Sequence, residues 1–173
     1  MIKDNLLTKQ LEEVKEITNQ TFLPTNLQKP FDIVELDEMW SFIQNKQDKC
    51  WIWLSICRTT KVILGFVTGC RGVKTGKLLW NKIKDFTTTK TIFGTDDWTP
   101  YKKFIPTNQH YIGKDETWTI EGYNGNFRDD LRRLNRKTKG YLKSQEMLDI
   151  SLYLYIVKHN TKKIAWLNGI KGF

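Results

Sequence analysis

Cysteine and histidine are scarce in this 173-residue chain, which contains three of the first and two of the second. Cys50, Cys57 and Cys70 are odd in number and show no CxxC spacing, so the sequence indicates neither a disulfide framework nor a structural zinc site. Apolar runs are short as well, since none approaches the roughly 18 residues that suggest a membrane span. The first residues carry acids where a secretory signal would be apolar. We therefore expect reduced thiols, no membrane partner and a cytoplasmic protein.

Acidic residues are also in deficit, because 19 Asp and Glu stand against 28 Lys and Arg and leave a formal charge of +9. The excess is concentrated in residues 121–173, which hold eleven basic and five acidic side chains. A folded cationic protein most often has a polyanionic partner, and nucleic acid is the commonest, which predicts nucleoid association. A solvated basic face without a specific role is the alternative. With 39% hydrophobic residues the chain can bury a core, which excludes a disordered basic tail.

The hydrophobic pattern predicts one folded domain between two flanking segments. Residues 1–30 are expected to form a short helix and a linker with two prolines. Residues 31–160 form the domain, and residues 161–173 a basic C-terminal tail. Within the domain, three β-rich runs joined by short polar turns predict an antiparallel meander. Helices and strands then alternate, which favours an α/β fold with a mixed sheet and helices on both faces.

Periodicity and capping residues place the later elements of the domain. Residues 75–86 predict a helix capped by Thr75, and the run TIFG predicts a short strand. An apolar stripe predicts a long helix that Gly140 closes, and a last helix runs from about Ser144 to His159. The stripe consists of Ile120, Tyr123, Phe127, Leu131 and Leu134.

Acids stand out at three places where burial or strand propensity disfavours a carboxylate. Asp37 lies inside the apolar run IVELDEMW. Asp96 and Asp97 follow TIFG, and Glu121 begins the striped helix. Each alone would usually be a cap or a paired charge. Clustered carboxylates repel one another unless a cation lies between them, and Mg²⁺ takes such oxygen ligands and can clamp a phosphodiester. Together these acids predict a site with one or two divalent ions that acts on nucleic acid.

Helix geometry relates Glu121 to a basic residue. At 3.6 residues per turn, a separation of seven brings Arg128 back to the same side of the helix as Glu121. An acid that binds metal and a base that binds phosphate would then share one edge of the helix. A salt-bridged exposed face explains the same spacing equally well, because the run RDDLRRLNRKTK is rich in both charges.

Four further segments follow one another along the chain, and they are ELDEMWSF, TDDWTPY, IEGYNGNFRDDLRRLNRKT and LKSQEML. They resemble the catalytic part of the insertion-sequence-one family of bacterial and archaeal transposases, and the match covers residues 31–160. Order and spacing carry the resemblance, since Asp37 lies in the first strand and 24 residues separate Asp96 from Glu121. The most distinctive piece is the I-E-x-x-N-x-N-x-R block that begins at Ile120.

The resemblance implies a ribonuclease-H-like fold, Mg²⁺ or Mn²⁺ as cofactor with two ions bound, and DNA cleavage followed by strand transfer. It assigns Asp37, Asp96 and Glu121 to a catalytic triad that binds the metal. It also assigns a role to Arg128, as the basic residue seven positions after the glutamate. The basic run that follows extends the predicted DNA contacts. These are Arg128, Arg132, Arg133, Arg136 and Lys137.

Three features depart from the family pattern. Asp97 stands where the family usually has Gly, so the sequence leaves open whether Asp97 also binds metal. Gly122 and Gly125 weaken the first turn of the glutamate helix, by about 0.5 to 1 kcal/mol each relative to Ala. Full-length members begin with a zinc ribbon and a helix-turn-helix, which this sequence does not contain. We expect the chain to be the catalytic reading frame alone or a shortened copy of a transposase. Its expected partners are DNA, at the element ends and at the target, and a second copy of the chain or a full-length transposase.

Two other functions also fit the sequence. A catalytically inactive remnant or regulator of transposition would bind DNA in a salt-dependent way without cutting it. A ribonuclease-H-like nuclease acting in repair or RNA processing would instead cleave RNA:DNA hybrids. The I-E-x-x-N-x-N-x-R block favours the transposase over the nuclease.

Overall fold

Five strands and three α-helices make up the part of the chain described by the computed structural model, which is residues 31–134 and 142–169. The strands are β1 (Ile33–Phe42), β2 (Lys49–Cys57), β3 (Ile63–Gly69), β4 (Ile92–Thr95) and β5 (His110–Ile112). The α-helices are α1 (Val73–Ile83), α2 (Trp118–Asp130) and α3 (Gln145–Leu167). None of these helices combines the length and the apolar character needed to cross a membrane.

The strands form one mixed sheet in the order β3-β2-β1-β4-β5. β1, β2 and β3 pair antiparallel, as the three β-rich runs predict. β4 and β5 add parallel strands on the other side of β1. β4 follows β3 in the chain but pairs with β1 on the far side of β2, and α1 lies in the long connection that crosses between them. The arrangement confirms the predicted mixed α/β sheet and agrees with a ribonuclease-H-like fold.

Side chains of the central strand β1 alternate between two apolar clusters, one on each face of the sheet. Leu36 packs in the cluster that α1 covers through Leu79. Met39 packs in the other cluster, with Phe127 of α2 and Leu152 of α3. Helices therefore cover both faces, and the two clusters hold the sheet between them.

The long striped helix is shorter in the structure than its periodicity predicts. α2 ends at Asp130, Leu131 has φ −96° and ψ 85°, and a 3₁₀ turn at Arg132–Leu134 follows. Leu131 and Leu134 nevertheless pack with the α2 cluster on that face of the sheet. Periodicity identifies the residues that become buried, but it does not distinguish one helix from a helix and a turn that bury the same side chains. The predicted end at Gly140 lies outside the described residues.

The starts of the other helices agree in part with the capping prediction. Ser144 caps α3 as predicted, because its Oγ accepts the backbone N–H of Met147 at 3.2 Å. α1 begins earlier than expected, with Gly72 at the cap position, and Thr75 is buried within the helix. A hydroxyl residue near a helix start can therefore be part of the first turn instead of its cap.

The last helix is longer than predicted. α3 continues past the predicted end at His159 to Leu167, and its buried Ala165 packs this extension against the domain. Residues 161–167, which the sequence assigns to the start of a basic tail, are therefore helical. Residues 1–30, the predicted N-terminal helix and linker, lie outside the described residues.

Candidate active site

Two of the three predicted acids meet at the boundary between β1 and β4. These strands pair in parallel, with Glu35 opposite Gly94. Continuing this register by two residues brings Asp96, the first residue after β4, beside Asp37. One carboxylate oxygen from each, together with one from Glu38, lies within 4.8 Å of the others. Strand pairing therefore concentrates three carboxylates, which we call the acid cluster, at one point of the sheet.

Glu38 is the member of the acid cluster that the sequence analysis missed. Neighbouring residues of a strand point to opposite faces of the sheet, so an acid next to Asp37 is not expected to share its site. Asp96, however, lies beyond the last residue pair of β4, where its carboxylate approaches both neighbours. The signal in the sequence was the pair of adjacent acids within one apolar strand.

A stacked arginine pairs with Glu38. Nη2 of Arg71 lies 3.1 Å from Oε2 of Glu38. The Arg71 guanidinium also lies over two indole rings, 4.5 Å from the centre of Trp51 and 4.2 Å from that of Trp98. Trp98 is tied to the acid cluster in turn, because its backbone N–H donates to Oδ1 of Asp96 at 3.1 Å. Arg71 therefore holds positive charge against the acid cluster and links Glu38 to the loop after β4.

Burial and repulsion disturb the ionisation of the acid cluster. Burial is the main cause that raises the pKa of Asp37 to about 6, and the negative charges of Asp96 and Glu121 raise it further. Burial likewise raises the pKa of Glu38 to about 7, although the Arg71 guanidinium opposes this shift. The protein thus holds these carboxylates where their charged forms are disfavoured, which is typical of functional sites.

Glu121, the third predicted acid, is exposed in the first turn of α2. Its Oε1 accepts a hydrogen bond from Oγ1 of Thr117 at 3.0 Å. Among the described residues it is not a member of the acid cluster. Its charge is nevertheless close enough to raise the pKa of Asp37. The structure therefore brings Asp37 and Asp96 together and leaves Glu121 at the border of their cluster.

Asn124 connects α2 directly to the acid cluster. Its Nδ2 donates to Oδ2 of Asp37 at 2.7 Å. Asn124 follows Glu121 by three positions, so both residues lie on neighbouring turns of one helix face. The sequence analysis quoted this asparagine as part of the I-E-x-x-N-x-N-x-R block and gave it no role. The spacing to Glu121 was the available signal.

A second set of buried polar contacts, which we call the clamp, fixes the start of α2 against β1. Glu35 is fully buried, and its Oε1 accepts Nε of Arg58 at 2.6 Å. Its Oε2 accepts the backbone N–H of Ile120 at 2.8 Å. Arg58 also donates to the backbone oxygen and to Oε2 of Glu116 through Nη2. Because Glu121 directly follows Ile120, the clamp sets where the helix acid stands relative to the strand acids.

Close packing at Gly94 supports the same arrangement. A Cβ atom at this position would overlap the backbone oxygen of Glu116, which accepts a hydrogen bond from Arg58 in the clamp. β4 can therefore pass directly beside the segment that leads into α2 only because residue 94 has no side chain. Because Asp96 follows Gly94 by two residues, this contact also fixes the position of Asp96 along the direction of the strand.

Asp97 lies apart from the acid cluster. Its side chain is 75% exposed and pairs with Lys102 at 2.5 Å. Within the described part of the chain it is not among the acids that meet beside Asp96. Of the two neighbouring aspartates that the sequence left open, the structure therefore brings only Asp96 to Asp37.

The predicted DNA-binding residues lie at and beyond the end of α2. Arg128 is half-buried in the last turn of this helix, and Arg132 is exposed in the 3₁₀ turn that follows. The backbone of Arg133 belongs to the same turn. Arg136 and Lys137 lie outside the described residues. The basic segment thus begins at the opposite end of α2 from Glu121.

The part of the chain that carries these residues is similar to known proteins. A family model described as IS1 transposase matches residues 31–162. The chain belongs to the IS1 transposase family. The insertion element iso-IS1n protein InsB of Shigella dysenteriae is 32% identical over 127 residues, which cover 73% of this chain and 95% of that protein. The insertion element IS1 4 protein InsB of Escherichia coli K12 is 32% identical over 126 residues, covering 72% and 74%.

The acid cluster fits the divalent metal that this DDE-type transposase family generally uses. Hard divalent cations prefer carboxylate oxygens, and three such groups meet here. The Glu38 side chain is completely buried, and besides Arg71 it interacts with the buried hydroxyl of Tyr101, which donates a hydrogen bond to it. Three carboxylates this close repel one another, and a cation between them would remove that repulsion. The donors and their charge therefore suit a hard divalent cation.

Proposed function

We propose that this chain is the catalytic domain of a DDE transposase, which cuts at the ends of a mobile element and joins the freed 3′-hydroxyl to target DNA. The observation that carries the proposal is the meeting of Asp37 and Asp96 in a partly buried acid cluster beside the start of α2. Membership of the IS1 transposase family supports the same reaction. Carboxylates held with raised pKa values at the cost of stability favour an active site over a structural framework.

Asp37, Asp96 and Glu121 would hold one or two divalent ions. An ion bound there supplies a stronger oxygen nucleophile and stabilises charge on the phosphate. In strand transfer, the 3′-hydroxyl oxygen attacks the target phosphorus in line and forms a new phosphodiester bond. The attacking hydroxyl gives up its proton to water, the bond to the target's own 3′-oxygen breaks, and that oxygen takes up a proton in turn. One phosphodiester replaces another, so the joining step needs no external energy source.

The basic residues after the glutamate would hold the DNA backbone on either side of the reacting bond. Arg128 and Arg132 begin this segment, and Arg133, Arg136 and Lys137 continue it. Contacts of this type bind phosphates and carry little sequence information. Recognition of element ends would then come from a second copy or from a full-length transposase with a zinc ribbon and a helix-turn-helix.

Cleavage and joining assays test the proposal. Purified protein is incubated with Mg²⁺ or Mn²⁺ and a supercoiled plasmid that carries the ends of the mobile element encoding it. We expect nicked and joined products. Glu121→Gln should reduce them to background, because the substitution removes one proposed metal ligand. Asp129→Asn is the matched control, because this acid is exposed on the same helix, and it should keep wild-type activity.

Three outcomes would contradict the proposal in different ways. Equal activity of wild type and Glu121→Gln would rule out the triad. Salt-dependent DNA binding without cleavage in either metal would identify an inactive remnant or regulator. Cleavage of RNA:DNA hybrids, with no action on element ends, would identify a ribonuclease-H-like nuclease.

A further inference from the structure

The side chain through which α2 contacts the acid cluster is Asn124. Its amide nitrogen Nδ2 donates to Oδ2 of Asp37 at 2.7 Å, across 87 positions of sequence. Asn124 is only 4% exposed, so solvent does not compete for this hydrogen bond. Hydrogen bonds to an ionised carboxylate are stronger than neutral ones and hold the acceptor in one orientation. Asn124 thereby leaves the other oxygen of Asp37 available to the acid cluster.

The ionised Asp37 also fixes which way the Asn124 amide is turned. If the amide were reversed, its oxygen would face the carboxylate, and two acceptors would repel each other. With Nδ2 directed to Asp37, the amide oxygen Oδ1 belongs to the same planar group and lies close to the acid cluster. Oδ1 is buried, and no donor in residues 31–134 or 142–169 forms a hydrogen bond to it.

An unpaired buried amide oxygen requires a physical explanation. Leaving such an acceptor without a donor costs about 1 to 3 kcal/mol, and buried polar side chains in native proteins are nearly always paired. Oδ1 has almost no solvent-accessible surface, so a water molecule cannot reach it and remove this penalty. The fold therefore keeps the Asn124 amide for its other polar atom, Nδ2, and for the orientation that Nδ2 gives to the Asp37 carboxylate.

We propose that Asn124 is a positioning residue of the divalent-metal site. Nδ2 holds one oxygen of Asp37 so that the other is directed to the ion. One face of α2 then serves the site twice, through Glu121 and through Asn124 one turn later. The inference rests on the proposed function only in requiring that the acid cluster binds a divalent ion.

Binding of Mn²⁺ to the purified protein tests the proposal without DNA or catalysis. The affinity is measured by titration calorimetry or by the paramagnetic resonance signal of free Mn²⁺. Asn124→Ala should weaken binding by about tenfold or more, the effect expected when a residue that supports a metal ligand is lost.

Asn126 provides the matched control, because it is an exposed asparagine two residues later on the same helix. Asn126→Ala should change the Mn²⁺ affinity by less than about threefold, since a separation of two residues places Asn126 about 200° around the helix from Asn124. Thermal unfolding without metal shows whether each variant is folded. If Asn124→Ala does not fold, Asn124→Leu keeps the volume, removes both polar atoms and should show the same loss of affinity.

The outcomes separate this inference from the proposed function. Wild-type Mn²⁺ affinity in a folded Asn124→Ala or Asn124→Leu variant would overturn the positioning role and leave the transposase proposal intact. A lower melting temperature with unchanged affinity would show a structural role alone, and would also overturn it. Failure of the wild-type protein to bind Mn²⁺ would overturn both. The expected Mn²⁺ results without any action on DNA would support Asn124 and contradict the transposase.

Discussion

Glu35 and Glu38 are both buried glutamates of β1, but their carboxylates have different surroundings. Both oxygens of Glu35 are paired, one with Arg58 and the other with the backbone N–H of Ile120. Glu38 has Arg71 against one oxygen and the buried Tyr101 hydroxyl as a further partner, and burial still raises the pKa of its carboxyl to about 7. The first glutamate is held by a guanidinium and a backbone donor, whereas the second shares its site with the carboxylates of Asp37 and Asp96. A fully paired acid is typical of a framework, and acids crowded against one another are typical of a binding site.

The two regions depend on each other through α2. The clamp formed by Glu35 and Arg58 holds the backbone one residue before Glu121. The acid cluster receives Asn124 from the same helix. The carboxylates of the acid cluster repel one another and lower the stability of the fold. The well-paired groups of the clamp offset this loss. Three substitutions test this contrast, in order of decreasing expected effect.

Breaking the clamp should have the largest effect on stability. Glu35→Ala leaves Arg58 without a buried partner and the Ile120 N–H without an acceptor. Loss of one member of a buried ion pair costs about 3 to 5 kcal/mol, and we expect the lower end because the Arg58 side chain is 21% exposed. Urea unfolding near neutral pH measures the change. As a control, Glu121→Ala should cost less than about 1 kcal/mol. A similar loss of unfolding free energy in Glu35→Ala and Glu121→Ala would show that the clamp stabilises the fold no more than an exposed acid does.

Removing a charge from the acid cluster should increase stability. The pKa of Asp37 is about 6 in the folded protein against a usual value of 3.8, so the folded state binds the proton more tightly. The contribution of Asp37 to stability therefore falls as the pH rises from about 4 to about 6. Asp37→Asn should be more stable than wild type by on the order of 2 kcal/mol near pH 7.5 without metal, and equal to it near pH 4.

Unfolding of this variant and wild type in urea at both pH values checks the prediction. A stability gain that persists near pH 4 would come from packing and not from charge. A variant less stable than wild type near pH 7.5 would show that Asp37 is paired within the fold as completely as Glu35.

The smallest effect is expected at Asp97, which belongs to neither region. Exposed ion pairs contribute little, so Asp97→Ala should change the free energy of unfolding by less than about 0.5 kcal/mol. Its Mn²⁺ affinity should stay within about twofold of wild type, whereas Asp96→Ala should lose most of the binding. Titration of both variants with Mn²⁺ measures this difference. Equal losses in the two variants would place Asp97 in the metal site.

Local sequence patterns predicted the architecture well. Short β-rich runs predicted the meander, and the alternation that follows predicted the mixed sheet that the structure has. The Ser144 cap and the buried stripe residues also agree with the structure. Element ends were less accurate, as in α2, because a helix and a 3₁₀ turn can bury the same stripe. These features depend on neighbours in sequence, which a pattern can capture.

The acids of the site were predicted in part. Asp37 and Asp96 were recognised as unusual where they stand, and the structure brings them together. Glu38 was missed because strand alternation argues against two adjacent acids at one site. Arg71 was missed because its partner lies 33 positions away. Nothing local distinguishes it from the other basic residues of a cationic chain.

The sequence by itself determined the class of this protein: a cationic α/β domain with acids at unusual positions, and a resemblance that fixed the family. Only the tertiary structure decided which carboxylate is enclosed by the clamp and which carboxylates crowd together in the acid cluster. That decision depends on the register between β1 and β4 and on where α2 begins, which place Asp96 beside Asp37 and Asn124 against it. Pairing of this kind depends on distances between residues far apart in the chain, and such distances exist only once the sheet and the helix have packed.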